Sequence, residues 1–205
     1  MAGRNFPLLL IRHGQTEWNL VKRWQGRAES HLTDLGRSEA TRAGAHLSTM
    51  KPFDEIWTSP LVRARDTAEI LATALGISPI QVDQRLIETD VGVWEGLTLS
   101  ELERGWPGYL AQRRQPEGFE SDSEVLERIT SFCEDRIRSN KRCLAVCHSG
   151  VMRTLRRHLG VTDHRISNLG GYWLGGSELQ PLQASELFSF VTATALNESS
   201  HTDSL

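Results

Sequence analysis

The 205-residue sequence lacks the features that mark several special classes of protein. It has no apolar run of about 20 residues, the length that a membrane-spanning helix needs. The apolar stretch near its start is interrupted by Arg12 and His13, so a secretory signal is not expected. The net charge is only −3, and nothing in the overall composition attracts nucleic acid or an anionic membrane. Any affinity for anions must therefore come from a local cluster of cations.

Cysteine is also scarce, with three residues in the whole chain. Cys143 and Cys147 lie in one apolar run, where four residues of strand separate them by roughly 13 Å, beyond disulfide reach. The remaining cysteine, Cys133, makes the count odd, which argues against a disulfide framework. We therefore expect buried thiols in a reducing compartment and a cytoplasmic protein.

Short apolar runs alternate along the chain with amphipathic helical patterns, an alternation typical of an α/β fold with three layers, α/β/α. The runs at 7–11 and 142–147 are almost continuously apolar and predict strands buried on both faces. No internal repeat and no linker interrupts this pattern. The sequence predicts one domain over 1–194, followed by a polar tail at 195–205 that we expect to be flexible.

Several boundaries can be predicted from local signals. Ser59 followed by Pro60 is typical of an N-cap and a first helical residue, and Gly76 is a typical helix end. The spacing of Ser/Thr and Glu residues predicts capping boxes at 98–101 and 121–124. Further strands are predicted at 54–58, 80–82, 85–87, 170–178 and 186–191.

Two predicted strands each lead directly into a histidine. The strand at 7–11 is followed by Arg12-His13-Gly14, and the strand at 142–147 by His148-Ser149-Gly150. Ligands of open α/β sheets bind beyond the carboxyl ends of the strands. If the two strands are parallel neighbours, both imidazoles enter one cleft, where nearby glycines leave backbone N–H groups free to face an anion. A lone histidine is usually structural, but this matched pair favours a functional site.

Arginines and one carboxylate could complete such a site. Arg63 falls near the start of a predicted helix, where the helix dipole disfavours a cation unless an anion binds between them. Arg12 sits at a strand end beside His13 and suits bidentate phosphate recognition, although either arginine could simply be solvated. Glu88 precedes a glycine-punctuated loop, and a salt-bridge partner is an equally good interpretation of its role.

Taken together, these residues resemble the signature of the phosphoglycerate mutase-like, or histidine phosphatase, superfamily. The segments that carry the resemblance are LIRHGQT at 10–16, Trp18-Asn19, Gln25-Gly26, LTDLG at 32–36, TSPLVRA at 58–64 with Thr67-Ala68, Glu88 with Gly92 and WEG at 94–96, and HSGV at 148–151. They cover most of the first 155 residues in the order and spacing of the family. The resemblance implies a mixed, mostly parallel six-stranded sheet covered by helices on both sides.

The resemblance also implies a role for each site residue. His13 corresponds to the nucleophile, Arg12, Arg63 and His148 to the residues that hold the phosphoryl oxygens, and Glu88 to the proton donor and acceptor. The remaining positions that line the phosphate pocket in the family are Asn19, Gln25, Gly26 and Ser149. Neither a metal nor another cofactor is implied, and the other histidines have no spacing typical of a metal site.

Three functions remain to be compared. Family mutases carry a long insertion after the position of Gly96, whereas only a short segment, 97–121, precedes the next long helix here. A short roof admits water to a phosphohistidine, which favours a phosphatase over a phosphoglycerate mutase. A non-catalytic interaction domain with this fold typically loses the nucleophile or an arginine, and all five core positions here hold competent residues.

The substrate is expected to be a small-molecule phosphate ester, with no nucleic-acid or membrane partner. Residues 170–173 and 196–198 resemble the branch that includes glucosyl-3-phosphoglycerate phosphatases, beside which other sugar phosphates, phosphoglycerates and phosphoserine stay open. The sequence leaves the oligomeric state open, with a homodimer as one candidate, together with the pH optimum and the conformation of 97–121.

Overall fold

A mixed β-sheet lies at the centre of the computed structural model, which describes residues 7–162, 164–177 and 180–190. Within these residues the strands are β1 (Leu8–Arg12), β2 (Glu55–Thr58), β3 (Gln81–Val82), β4 (Cys143–Cys147), β5 (Gly170–Ser177), β6 (Gln180–Ala184) and β7 (Phe188–Ser189). The helices are α1 (Glu17–Leu20), α2 (Asp34–Leu47), α3 (Val62–Leu75), α4 (Leu99–Gly105), α5 (Asp122–Arg138) and α6 (Ser149–His158). None of the helices in the described residues is long and apolar enough to cross a membrane.

The strand order β3-β2-β4-β1-β5-β6 places β1 and β4 side by side in the middle of the sheet, and the short β7 pairs with β5. β1 and β4 are parallel, in a register that runs from Leu8 opposite Cys143 to Arg12 opposite Cys147. β2 and β3 continue the parallel part, while β5 runs antiparallel to β1. The predicted mixed sheet is confirmed, with seven strands among the described residues where the family resemblance implies six.

Side chains of the central strands alternate between two apolar layers, as the pleat of a strand requires. Leu8 and Leu10 pack with residues of α5 and α6, whereas Leu9 and Ile11 pack with residues of α2 and α3. All four side chains are fully buried, which explains why this strand has a continuous apolar sequence. The predicted three layers are confirmed.

Some predicted boundaries are wrong. α3 begins at Val62, and its N-cap is Leu61 rather than Ser59, so the Ser59 hydroxyl does not cap this helix. The strand predicted at 85–87 is a 3₁₀ turn, Gln84–Leu86. β6 was not predicted, and the strand predicted at 186–191 is only the two-residue β7 within the described part. The tail predicted at 195–205 and the domain boundary at 194 lie outside the described residues.

The roof segment 97–121 has a small apolar core of its own. Leu102 and Leu110 are buried with Val91 and Trp94, and the aromatic rings of Trp24, Trp106 and Phe119 pack around them. α4 begins at the predicted capping box, in which Thr98 and Glu101 each bind the other's backbone N–H. This cluster is separate from the two layers beside the sheet, so the roof is a short, independently packed unit.

Candidate active site

The two histidines meet at the carboxyl ends of β1 and β4. The backbone N–H of His13 donates to the carbonyl of Cys147 at 3.1 Å, which extends the parallel pairing of the strands by one residue. The ring centroids of His13 and His148 are 5.2 Å apart. His13 is 3% exposed and His148 is fully buried. The expected proximity of the two imidazoles is confirmed, and both rings are buried.

The His13 ring is held in one tautomer. Its Nδ1 lies 2.7 Å from the carbonyl oxygen of Gly14, which can only accept, so Nδ1 carries the proton and Nε2 keeps its lone pair. Burial, and then the positive charges of Arg63 and Arg12, lower the pKa of His13 well below its usual value. The imidazole is therefore neutral at pH 7, with a nucleophilic nitrogen available.

The backbone around His13 is fixed by two side chains that the sequence analysis did not assign. The Thr67 hydroxyl accepts a hydrogen bond from the Gly14 N–H at 3.0 Å and donates to the carbonyl of Arg63 at 2.7 Å. Asn168 donates from Nδ2 to the His13 carbonyl at 3.0 Å. Thr67 is four residues after Arg63, a helical spacing that was available as a signal. Asn168 stands alone in an irregular segment, and no sequence pattern points to it.

Arg63 is fully buried, and main-chain carbonyls hold its guanidinium. Nη2 donates to Gly26 and Nη1 to Ala28, both at 2.7 Å, while its buried Nε has no protein partner. Burial lowers the pKa of Arg63 to about 10, so the group is still charged at pH 7. These carbonyls are neutral, and hydrogen bonding to them leaves the positive charge of Arg63 in place.

Gly26 serves this arrangement through its backbone. Its φ of +50° lies in the left-handed region that favours glycine, and a Cβ there would come 2.6 Å from Cγ2 of Val91. The resulting turn directs the Gly26 carbonyl at Arg63. In the structure Gly26 therefore holds a predicted phosphate-binding side chain, and its role in binding a ligand directly stays a prediction.

Arg12 lies at the end of β1 and is 6% exposed. Its Nη1 donates to the carbonyl of Ile166 at 2.8 Å. The charge of Arg12 lowers the pKa of both His13 and His148, and that of Arg63 does the same with a larger effect. The charges of both guanidinium groups thus act on the two imidazoles.

The Glu88 carboxylate occupies the start of α6. Oε1 accepts from the backbone N–H groups of Thr89, at 2.8 Å, and Val151, at 3.1 Å, and Oε2 accepts from that of Gly150 at 3.1 Å. Gly150 and Val151 lie in the first turn of α6, directly after His148 and Ser149. The helix dipole favours the negative charge of Glu88 at this position. Its described hydrogen bonds are to main-chain donors, which does not match the alternative of a simple salt-bridge partner.

His148 is the residue before the first turn of α6, and its ring nitrogens have different surroundings. Nε2 lies 2.7 Å from the hydroxyl oxygen of Ser59, which is also fully buried. Nδ1 is buried without a protein partner. Burial, followed by the charge of Arg63, lowers the pKa of His148 well below its usual value, so this ring is also neutral at pH 7.

The other predicted pocket residues lie nearby in different roles. Oδ1 of Asn19 accepts from the Thr16 N–H at 3.2 Å and from Asn168 at 3.1 Å, so this oxygen already stabilises the loop after His13. Oε1 of Gln25 is buried without a protein partner, as expected of an acceptor that meets a ligand. Ser149 is the first residue of α6.

This arrangement suits covalent chemistry on a tetrahedral anion. A neutral, oriented imidazole supplies a nucleophile, two arginines supply fixed positive charge, and a carboxylate lies at the start of the helix that follows the second imidazole. Fixed cations of this kind stabilise the negative charge that a transferring phosphoryl group spreads over its oxygens. In the described part of the chain, no three His, Cys, Asp or Glu side chains are grouped so as to hold a metal ion.

Comparisons with known proteins match the chain to phosphatases and a phosphoglycerate mutase. A model of the histidine phosphatase superfamily (branch 1) matches residues 8–171. A glucosyl-3-phosphoglycerate phosphatase of Mycobacterium tuberculosis is 30% identical over 203 residues, which cover 86% of this chain and 90% of that protein. A 2,3-bisphosphoglycerate-dependent phosphoglycerate mutase of Methylocella silvestris is 35% identical over 161 residues, which cover 72% of this chain and 78% of that protein. The structure of the mycobacterial glucosyl-3-phosphoglycerate phosphatase with VO3 has a TM-score of 0.77 at 30% identity, covering 87% of this chain and 96% of that chain.

Proposed function

The chain belongs to branch 1 of the histidine phosphatase superfamily and is a phosphoric monoester hydrolase. On this premise we propose that it hydrolyses small-molecule phosphomonoesters through a phosphohistidine on His13. The observation that carries the proposal is the hydrogen bond from Nδ1 of His13 to the Gly14 carbonyl. This bond leaves a lone pair on Nε2, in a buried site beside two arginines. The mechanism needs no metal ion.

The reaction has two balanced steps. In the first, Nε2 of His13 attacks phosphorus, the bond to the ester oxygen breaks, and a proton from Glu88 neutralises the leaving alkoxide. In the second, water attacks the phosphohistidine and gives a proton to Glu88, which releases inorganic phosphate and restores the imidazole. In both steps Arg12, Arg63 and His148 stabilise charge on the phosphoryl oxygens. Asn19, Gln25, Gly26 and Ser149 line the pocket around them.

The roof supports hydrolysis over phosphate transfer between substrates. The segment 97–121 contains one seven-residue helix, α4, and contributes to one small apolar cluster. If this segment covers the cleft as in the family, so short a cover admits water to the phosphohistidine. A phosphoglycerate mutase is the second candidate, because a mutase is among the relatives of this chain. The two activities differ in whether inorganic phosphate is released.

The proposed substrates are sugar phosphates and phosphoglycerate derivatives, with glucosyl-3-phosphoglycerate as the first to test. The support comes from relatives of that name, which align with most of the chain. We place the enzyme in the cytoplasm because its three cysteines are unpaired thiols, as a reducing compartment maintains. A homodimer stays a candidate assembly, which light scattering of the purified protein decides.

A panel of phosphomonoesters, assayed for phosphate release with and without EDTA, tests the proposal. We expect chelator to leave turnover unchanged. His13→Ala should lower turnover by about a thousandfold or more, because the covalent route is lost. The matched control is His31→Ala, since this exposed histidine lies outside the cleft.

Four results would contradict parts of the proposal. Strong turnover in the His13→Ala enzyme would refute the nucleophile, and inhibition by EDTA would refute metal independence. Isomerisation of phosphoglycerates without net phosphate release would identify a mutase. A pure, folded wild-type protein that neither hydrolyses nor isomerises any ester of the panel would favour a non-catalytic interaction domain.

A further inference from the structure

We propose that Ser59 is a positioning residue that fixes the tautomer of His148, so that the neutral imidazole donates a hydrogen bond from Nδ1 to the transferring phosphoryl group. This inference rests on the proposed function for the identity of the acceptor. It assigns a role to a residue whose sequence context predicts only a helix cap. It depends on the hydrogen-bond partners of Ser59 and of the two ring nitrogens of His148.

The Ser59 hydroxyl has two described neighbours. Its oxygen accepts from the backbone N–H of Leu61 at 3.3 Å, and it lies 2.7 Å from Nε2 of His148. A hydroxyl can accept twice and donate once, and the backbone N–H of Leu61 can only donate. Of the two described neighbours, Nε2 of His148 is therefore the one that can accept the hydroxyl hydrogen. Nε2 then acts as the acceptor, and in a neutral ring the proton must sit on Nδ1.

The backbone of Ser59 is also fixed relative to His148. Ser59 follows directly after β2, and its N–H donates to the carbonyl of Val146 in β4 at 3.0 Å. One further residue of β4, Cys147, separates Val146 from His148. The hydroxyl and the imidazole are thus attached to adjacent, paired strand ends, and both side chains are fully buried. A rigid donor at this distance determines the tautomer without help from solvent.

The other ring nitrogen is positioned for the substrate. Nδ1 of His148 is buried and has no protein partner, which is costly for an N–H unless a ligand accepts from it. The positive charges of Arg63 and Arg12 beside this ring mark where an anion binds. With the opposite tautomer, Nδ1 would present a lone pair to a phosphoryl oxygen and repel it. Ser59 therefore decides whether His148 attracts or repels the transferring group.

The test begins with the resting wild-type enzyme. ¹⁵N NMR of histidine-labelled protein distinguishes protonated from unprotonated ring nitrogens, and the spectrum of His148→Gln assigns the His148 signals. We expect protonated Nδ1 and unprotonated Nε2 at pH 7. Protonated Nε2 would overturn the inference, whatever the activity. Because this measurement uses no substrate, its failure is distinguishable from a failure of the proposed phosphatase reaction.

Variants then connect the tautomer to turnover. Ser59→Ala should give mixed tautomers and lower kcat/KM by about ten- to a hundredfold, as for loss of a hydrogen bond to a charged group. Ser59→Cys, whose thiol is a weak donor, should lie between wild type and alanine. The matched control is Thr154→Val, which removes the buried hydroxyl that accepts from Arg157 at 2.9 Å. It should leave both the tautomer and kcat/KM unchanged.

A double variant separates positioning from a general structural defect. In the His148→Gln background, Ser59→Ala should have no further effect on kcat/KM, because the residue acts only through the imidazole. Additive losses in the double variant would overturn the inference. An unchanged His148 tautomer in Ser59→Ala would overturn it too.

Discussion

At the scale of single residues, the site holds its charged and reactive groups with neutral partners. Arg63 donates to the carbonyls of Gly26 and Ala28, and His13 donates to that of Gly14. A carboxylate in their place would neutralise the guanidinium and compete with the substrate for it. Carbonyls orient the side chains and leave their charge, or their lone pair, available to an incoming phosphate.

Glu88 offers a prediction at this scale. Both of its carboxylate oxygens accept from backbone N–H groups, so the –NH₂ of Glu88→Gln must face a donor. We expect a loss of about 1–2 kcal/mol in the free energy of unfolding. We also expect kcat to fall by about a hundredfold or more, since proton transfer is lost. Phosphate affinity, measured by calorimetry, should stay nearly constant.

Glu124→Gln is the matched control, because the exposed Glu124 carboxylate accepts from the Ser121 N–H at the start of α5. It should reduce stability and leave kcat nearly unchanged. If Glu88→Gln instead weakens phosphate binding in proportion to kcat, Glu88 organises the pocket and does not transfer protons.

The sequence predicted the reactive residues better than the residues that hold them. His13 and His148 were predictable because each directly follows a buried apolar strand. Ser59 was misassigned as a cap because its neighbour Pro60 is typical of a helix start. Asn168 could not be found, because its contact with the His13 carbonyl joins distant, irregular parts of the chain. Such partners are set by tertiary geometry, which no local pattern encodes.

At the scale of helices and strands, local side-chain contacts determine where the roof ends and α5 begins. The Ser121 hydroxyl accepts from the Glu124 N–H, and the Glu124 carboxylate accepts from the Ser121 N–H at 2.8 Å. This capping box was predicted from the spacing of the two residues and is confirmed. Both hydrogen bonds of this box are exposed.

Ser121→Ala removes the side-chain half of this cap. We expect a loss of about 1 kcal/mol in the free energy of unfolding, typical of N-cap replacement. The value of kcat should be unchanged, because the hydroxyl lies outside the phosphoryl pocket. Urea denaturation and steady-state kinetics measure the two quantities, with Ser48→Ala, at the C-terminal end of α2, as the control helix-end serine. A large drop in kcat would show that the start of α5 affects the geometry of the active site.

The closing strands were harder to predict than the central ones. β1 and β4 are buried on both faces, so their sequences are continuously apolar. β6 contains glutamines and a proline, as an edge strand tolerates, and this composition does not distinguish it from a loop. The length of a strand near the sheet edge depends on its partner. Phe188 and Ser189 are assigned to β7 because they pair with Gly171 and Gly170 of β5, which their own sequence does not predict.

At the scale of the whole molecule, two buried neutral histidines link stability to pH. The pKa values of His13 and His148 are lowered in the folded state, mainly by burial. In the unfolded chain they return to about 6.5. As the pH falls below that value, the unfolded state binds protons that the folded state does not. The contribution of these two neutral histidines to the free energy of unfolding is therefore complete above about pH 6.5. It is lost as the pH falls toward their folded-state pKa values.

Denaturant unfolding at pH 7, 6 and 5 measures this linkage. Each histidine should contribute a slope of up to about 1.4 kcal/mol per pH unit on the acid side. A His13→Gln/His148→Gln double variant should show a flatter decline than the wild-type protein. An equal decline in both proteins would mean that other groups control acid unfolding.

β4 lies between β1 and β2 in the sheet, although it comes last of the three along the chain. His13 and His148 follow β1 and β4, so the pocket joins residues that most of the domain separates in sequence. A chain truncated before β4 would lack both the second imidazole and the Cys147 carbonyl that holds the His13 backbone. We expect such a fragment to release no phosphate.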